Sequence, residues 1–258
     1  MQRDRLFALV LLSVALLSPV RAAHAAEGDD EGFHQLFSSV LKAHVDEGLV
    51  DYAGIEGDPR FGEYLKLLEE TDPDTLGASA EQLAFWINAY NAYTIKLIVD
   101  RMPVKSIREI SLGLPVLFGP WSIDVVLVGG ELYTLNTVEH EIIRESFPEP
   151  RIHFALVCAA VGCPSLREEA YEGPRLEEQL EEETRRFILD PAKNRFDVKS
   201  RRVHLSEIFN WYASDFERNG GSVVEFVAQY VASDIAEMLR SGEFDLDYLP
   251  YDWSLNSR

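Results

Sequence analysis

The chain has 258 residues, with 44 acidic side chains against 24 basic ones and a formal net charge of −20. So negative a surface repels phosphate backbones and anionic headgroups, which excludes nucleic acid and a lipid surface as partners. The length allows one large or two small domains, and two cysteines are too few for a disulfide-built miniature.

The chain opens on an address. Arg3 and Arg5 make a positive start, Leu6 to Leu17 is apolar apart from Ser13, and Ala23-His24-Ala25 has the small-x-small form of a cleavage site. Residues 1–25 are therefore expected to be a secretory signal peptide, giving a periplasmic or secreted protein. The apolar run is shorter than the roughly 20 residues that span a bilayer, so no membrane attachment is expected after cleavage. Losing Arg3, Asp4, Arg5 and Arg21 takes the formal charge from −20 to −22, and residues 26–258 are expected to fold as a single domain.

Helical spacing at Phe33, Leu36, Phe37, Val40, Leu41 and Val45 predicts a first helix over 33–45. Val50-Asp51-Tyr52 reads as extended, and 61–70 as a second helix ended by Asp72-Pro73. Ser79 to Arg101 is the strongest helix of the chain, with Ser79 and Gln82 in capping-box spacing and almost no polar face. Its exceptions, Asn88 and Asn91, share one side; either they satisfy buried backbone groups or one orients a catalytic group.

Leu112 to Trp121 reads as a surface loop. Gly129-Gly130 between 121–127 and 131–135 signals a hairpin, and a helix over 138–147 follows a cap at Asn136 or Thr137. The apolar run Ile152 to Val157 reads as a buried strand delivering Cys158 to a turn. Helices are predicted over 165–171, 176–189, 206–219 and 222–240, a hairpin over 195–205, and a half-buried strand through Phe244, Leu246 and Tyr248. Helices first, then strands and helices interleaved, make an α+β fold.

Separated stretches together resemble one family, domain of unknown function 547. They are Ala84-Phe-Trp-Ile-Asn-Ala-Tyr-Asn91, Tyr133-Thr-Leu-Asn-Thr-Val-Glu-His140, Ile152-His-Phe-Ala-Leu-Val-Cys158, Gly162-Cys-Pro164, Ile208-Phe-Asn-Trp-Tyr212 and Tyr251-Asp-Trp-Ser-Leu-Asn256. The resemblance implies a circularly permuted papain-like arrangement and a cysteine hydrolase that takes glutathione-like thiol peptides. One departure matters: the family usually places a polar residue, often Asn, before the first cysteine, where this chain has Val157. Backbone N–H groups would then have to receive a developing oxyanion.

A cysteine hydrolase or transferase needs a thiolate, a base and a group that holds the base. Cys158 is the candidate nucleophile, with Cys163 as a capping or pairing thiol; His140, from a separate helix, is the candidate base, and Glu139 adjoins it. His153 is expected to be a core histidine, since five residues of strand would hold it about 16 Å from Cys158 and on the other face. His153, Cys163, Asn88 and Asn91 are candidates for substrate binding or support. The competing reading is a non-catalytic binding module with a Cys158–Cys163 disulfide. Zinc held by Cys158, Cys163, His140 and His153 is a further alternative, although a second C-x-x-C pair is missing. No cofactor is expected; the expected ligand is a small thiol or peptide-like molecule.

Mass spectrometry of protein recovered from a native host should show Ala26 as the first residue; an intact Met1 would remove the case for export.

Overall fold

The computed structural model describes residues 32–111, 119–218 and 221–258. The expected leader, residues 112–118 of the expected loop, and Asn219-Gly220 lie outside the described residues.

Phe37, Val40 and Leu41, three and four apart, bury one face of α1 (Gln35–His44). The antiparallel ribbon of β1 (Val45–Asp46) and β2 (Leu49–Val50) follows. The extended reading then stops at Val50, because the Asp51 carboxylate accepts the Gly54 N–H and starts α2 (Tyr52–Glu56). Asp58 caps α3 (Pro59–Glu70) in the same way, with Pro59 at the first helical position.

The core is laid on α4 (Ser79–Val99), buried without a break from Leu83 to Ile95 and again at Leu97 and Ile98. Its start differs from the expected Ser79/Gln82 pair. Ala78 is the cap residue, and Glu81 Oε2 accepts its N–H at 2.8 Å, the half of a capping box that an alanine permits. Strands β3 (Asp124–Val128) and β4 (Glu131–Thr134) form the expected hairpin, turned at Gly129 (φ 59°) and Gly130 (φ 78°). Paired positive φ values suit a tight two-residue turn and favour glycine. The Tyr93 hydroxyl donates to Leu127 O at 2.6 Å and ties this hairpin to α4.

Beyond β4 the expected single helix is a π-helical segment, Thr137–Ile143, running into the short α5 (Arg144–Ser146). The expected strand over 152–157 does not form. Pro150 opens a 3₁₀ turn, Pro150–Phe154, and the N–H groups of Ala155 and Leu156 both bond to Ile152 O. A short apolar run buried on all sides is compatible with either geometry, and here no neighbouring strand supplies a ladder. The expected helix over 165–171 is also irregular, because side chains serve its backbone: Ser38 Oγ accepts the Ala170 N–H, and Asn88 pairs with Tyr171.

α6 (Leu176–Leu189) has the expected bounds. β5 (Arg195–Asp197) and β6 (Arg202–Ser206) make the expected antiparallel pair, and β7 (Asp245–Leu249) joins β6 in parallel. Leu246 is exposed there, so the alternating burial expected of this strand is incomplete. The long helices expected after β6 are broken into α7 (Glu207–Trp211), α8 (Ala213–Arg218), α9 (Val223–Val227) and α10 (Ser233–Ser241). A second apolar cluster forms among them, with Phe154 packed against Phe187, Phe209 and Phe216. The described chain is thus a single α+β domain of helices and small sheets. No helix among the described residues is long and apolar enough to cross a membrane.

Trp86 is buried on α4 with its ring edge-on to Tyr133. Trp86→Ala should cost about 3–5 kcal/mol; a denaturation midpoint within error of the parent would mean that α4 does not organise the core.

Candidate functional site

The site begins with a buried amide. Asn91 Nδ2 donates to Ala155 O and its Oδ1 accepts the Val157 N–H, both at 2.9 Å. One side chain thus takes the place of a neighbouring strand for the segment that enters Cys158. Asn88 does the same for Tyr171, donating to its carbonyl at 2.7 Å and accepting its N–H at 2.9 Å. Of the two roles open to these amides, both fill the structural one, and neither lines the cavity described below.

After Cys158 the chain turns at Ala159 (φ 57°), a left-handed conformation that costs a non-glycine residue energy. The C-terminal segment straps this turn down: Val161 N–H donates to Ser254 O and Gly162 N–H to Asp252 O, each at 2.8 Å. A Cβ on Gly162 would lie 2.9 Å from the Tyr251 ring, so glycine is what lets that ring approach. Tyr251 Oη lies 3.1 Å from Cys163 Sγ and 3.2 Å from Cys158 Sγ.

The two sulfurs are bonded to each other, and no free cysteine is present. The expected nucleophile Cys158 is therefore not a thiol in this state. It also does not sit at a strand end, and no helix starts at Pro164 to lower the pKa of Cys163. The two backbone N–H groups flanking the position of the missing Asn are engaged as well. Val157 N–H is held by Asn91, and Cys158 N–H donates to Cys163 Sγ at 3.0 Å.

Glu139 and His140 leave the π-helical segment in different directions. The Glu139 carboxylate is 6% exposed and accepts the hydroxyls of Tyr90 (3.0 Å) and Tyr212 (2.6 Å). Burial, reinforced by the Glu139 charge, pushes both tyrosine pKa values up, so they remain donors. His140 is half-buried, and its Nδ1 lies 2.9 Å from Arg144 Nη1. A guanidinium can only donate, so Nδ1 accepts, and the neutral ring carries its proton on Nε2. No protein group among the described residues bonds Nε2. With Nδ1 engaged by Arg144, Nε2 is the ring atom of His140 left for the cavity, and in this tautomer it donates.

Arg144 also grips Asp215 bidentately, Nε to Oδ2 at 2.6 Å and Nη2 to Oδ1 at 2.9 Å. Asp215 Oδ2 in turn receives His153 Nε2 at 2.8 Å. His153 is 3% exposed and stacks on Tyr212 at 3.8 Å between ring centres, which fits the expected core histidine. Burial holds its pKa below the ordinary histidine value, against the opposing pull of Asp215. Burial alone would raise the Asp215 carboxyl, but the hydrogen bonds from His153 and Arg144 outweigh it and hold the group below the usual carboxylate range.

These parts face one cavity of about 250 Å³, lined by both cysteines, His140, Glu139, His153 and a group of aromatic rings. The strand on which His153 was expected to point away from Cys158 does not form, and both residues line this cavity. Trp211, Tyr251, Trp253 and Trp121 form the aromatic side, with Trp211 and Trp253 stacked at 5.8 Å and Trp211 46% exposed. Sequence reasoning did not assign a role to Tyr251, Tyr212, Arg144 or Asp215. Arg144 was readable as the residue one turn beyond His140, and the two tyrosines lie within the conspicuous blocks. Asp215 carried no local signal. Among the described residues, no group of three or more His, Cys, Asp and Glu is arranged to hold a metal ion.

A family model described as protein of unknown function, DUF547, matches residues 73–188. Over these residues, just under half of the chain, the sequence is similar to the members of this family. The DUF547 match takes in α4, Glu139, His140, His153 and both cysteines, and ends before Tyr212, Asp215 and Tyr251. No curated protein and no solved structure matches the chain.

The Asp215 network has a pH signature. Unfolded, His153 would take a proton near its ordinary value of about 6.5 and Asp215 near about 3.9, whereas the fold keeps one neutral and the other ionised. The unfolded state thus binds more protons as pH falls, and stability should decline below about pH 6.5 and again below about pH 4. Asp215→Asn should lower stability by about 3 kcal/mol at pH 7, the lower end for breaking a buried pair, and should flatten the second decline. Thermal unfolding of both proteins between these pH values checks this.

Proposed function

We propose that this protein takes a small thiol or peptide-like molecule into the aromatic-walled cavity, and that Cys158 is the reactive sulfur for hydrolase or transferase chemistry once the disulfide is open. The observation that carries the reading is the convergence of Cys158, Cys163, His140 and Glu139, from separate stretches of chain, on one cavity. His140 then acts through its Nε2–H, donating to the Cys158 thiolate or to charge developing on the ligand. Tyr90 and Tyr212 neutralise part of the Glu139 charge by hydrogen bonding, which limits its repulsion of a thiolate. The permuted papain-like arrangement implied by the resemblance belongs to this reading.

A second reading, ligand binding without chemistry, is favoured by the closed disulfide itself: a sulfur bonded to its neighbour offers no thiolate. The same bond supports export, since such bonds persist in oxidising compartments.

Iodoacetamide labelling of the reduced, folded protein across pH separates the two readings. Cys158 should label fast at pH 7, Cys158→Ser should remove that phase, and His140→Ala should move its pH dependence up toward a free thiol at about 8.5. A Cys158 that stays inert at pH 7 leaves the binding module as the function.

A further inference from the structure

We infer that the disulfide is itself the functional group of the oxidised protein, polarised so that a small thiolate from the cavity attacks Cys158 Sγ and expels Cys163. This rests on the reading that the cavity admits a small thiol.

The asymmetry between the sulfurs sets the direction. Both sulfur-bearing residues line the cavity, but Cys158 is partly exposed there whereas Cys163 is only 2% exposed. A disulfide sulfur carries no hydrogen, so every polar neighbour at hydrogen-bond distance here is a donor. Cys163 Sγ receives the Cys158 N–H at 3.0 Å, a donor that Cys158 Sγ has no counterpart to, while Tyr251 Oη lies 3.1 Å from Cys163 Sγ and 3.2 Å from Cys158 Sγ and is free to follow the charge to the leaving sulfur. Burial, helped by the nearby charge of Glu139, pushes the Tyr251 phenol up, so it keeps its proton at neutral pH. The leaving position is thus equipped to take a negative charge, and the attacked position is the more exposed of the two to a ligand in the cavity.

In the exchange, the ligand thiolate forms a new S–S bond to Cys158 as the Cys158–Cys163 bond breaks. The electron pair leaves on Cys163, whose thiolate keeps its two donors. One disulfide is consumed and one is formed, so no external oxidant or reductant is required. The product is a ligand held covalently on Cys158 beneath the aromatic wall, with Cys163 poised to reverse the step and release it. Exchange rates depend on how readily the leaving thiolate departs, so the Tyr251 hydroxyl should affect the rate directly.

The test treats the oxidised full-length chain with excess 2-mercaptoethanol, quenches it with acid, and caps the freed thiol with N-ethylmaleimide. Fragmentation of the peptide bearing both cysteines then locates each group. In the folded protein, mercaptoethanol on Cys158 with maleimide on Cys163 should exceed the reverse arrangement by roughly tenfold or more; in urea the two should be near equal. Tyr251→Phe should slow opening of the folded protein roughly tenfold, the size of one charge-assisted hydrogen bond, and leave the unfolded rate unchanged. An equal or reversed distribution in the folded protein, or an unchanged rate for Tyr251→Phe, overturns the inference. A folded disulfide that resists the thiol also overturns it. Fast iodoacetamide labelling of Cys158 in the reduced protein would in that case leave the proposed function standing.

Discussion

The structure around the cysteines depends on a side chain behaving as backbone. Asn91 is held on a helix buried almost all round, where an unpaired amide would be costly, and it finds its partners in Ala155 and Val157. Two hydrogen bonds of fixed geometry define the path of the chain into Cys158, and Asn88 does the same for Tyr171. The most apolar helix thus positions the least regular segments. Rigid packing of α4 and the placing of the disulfide are consequences of the same burial.

Around that anchor, charge is distributed in a chain of contacts. Asp215 is shared by His153 and Arg144, and Arg144 reaches on to His140. Asp215 positions Arg144, and Arg144 in turn engages His140 Nδ1, so a carboxylate on a different helix bears on a half-buried ring at the cavity wall. Glu139 is handled separately by two phenols. The cavity consequently presents an imidazole, a disulfide, aromatic faces and a carboxylate held by two hydroxyls, while the Arg144–Asp215 pair lies behind its lining.

Elements with a strong local signal were legible in the sequence. The periodicity of α1, α4 and α6 and the Gly129-Gly130 turn required no tertiary information. The misreadings share one cause. Residues 152–157 and 165–171 are apolar or mixed runs whose backbone groups are satisfied by Asn91, Asn88 and Ser38, all distant in sequence, and no periodicity reports such partners. At the site, Cys158, Cys163, Glu139, His140 and His153 were found because their residue types are chemically conspicuous. The core place of His153 was legible too, but the partners that hold these rings were not, since Arg144 engages His140 and Asp215 and Tyr212 hold His153.

The strap formed by residues 251–256 has a consequence in time. Cys158 and Cys163 lie well upstream of Tyr251, Asp252 and Ser254, whose groups cover and hold their loop. During vectorial synthesis both sulfurs emerge while their lid is still undelivered. Pairing chemistry is therefore open to any oxidant first, and protection by Tyr251 arrives afterwards, when the last residues dock. The order of the chain leaves both sulfurs uncovered until the last residues dock, so that seclusion of the inner sulfur is the late event.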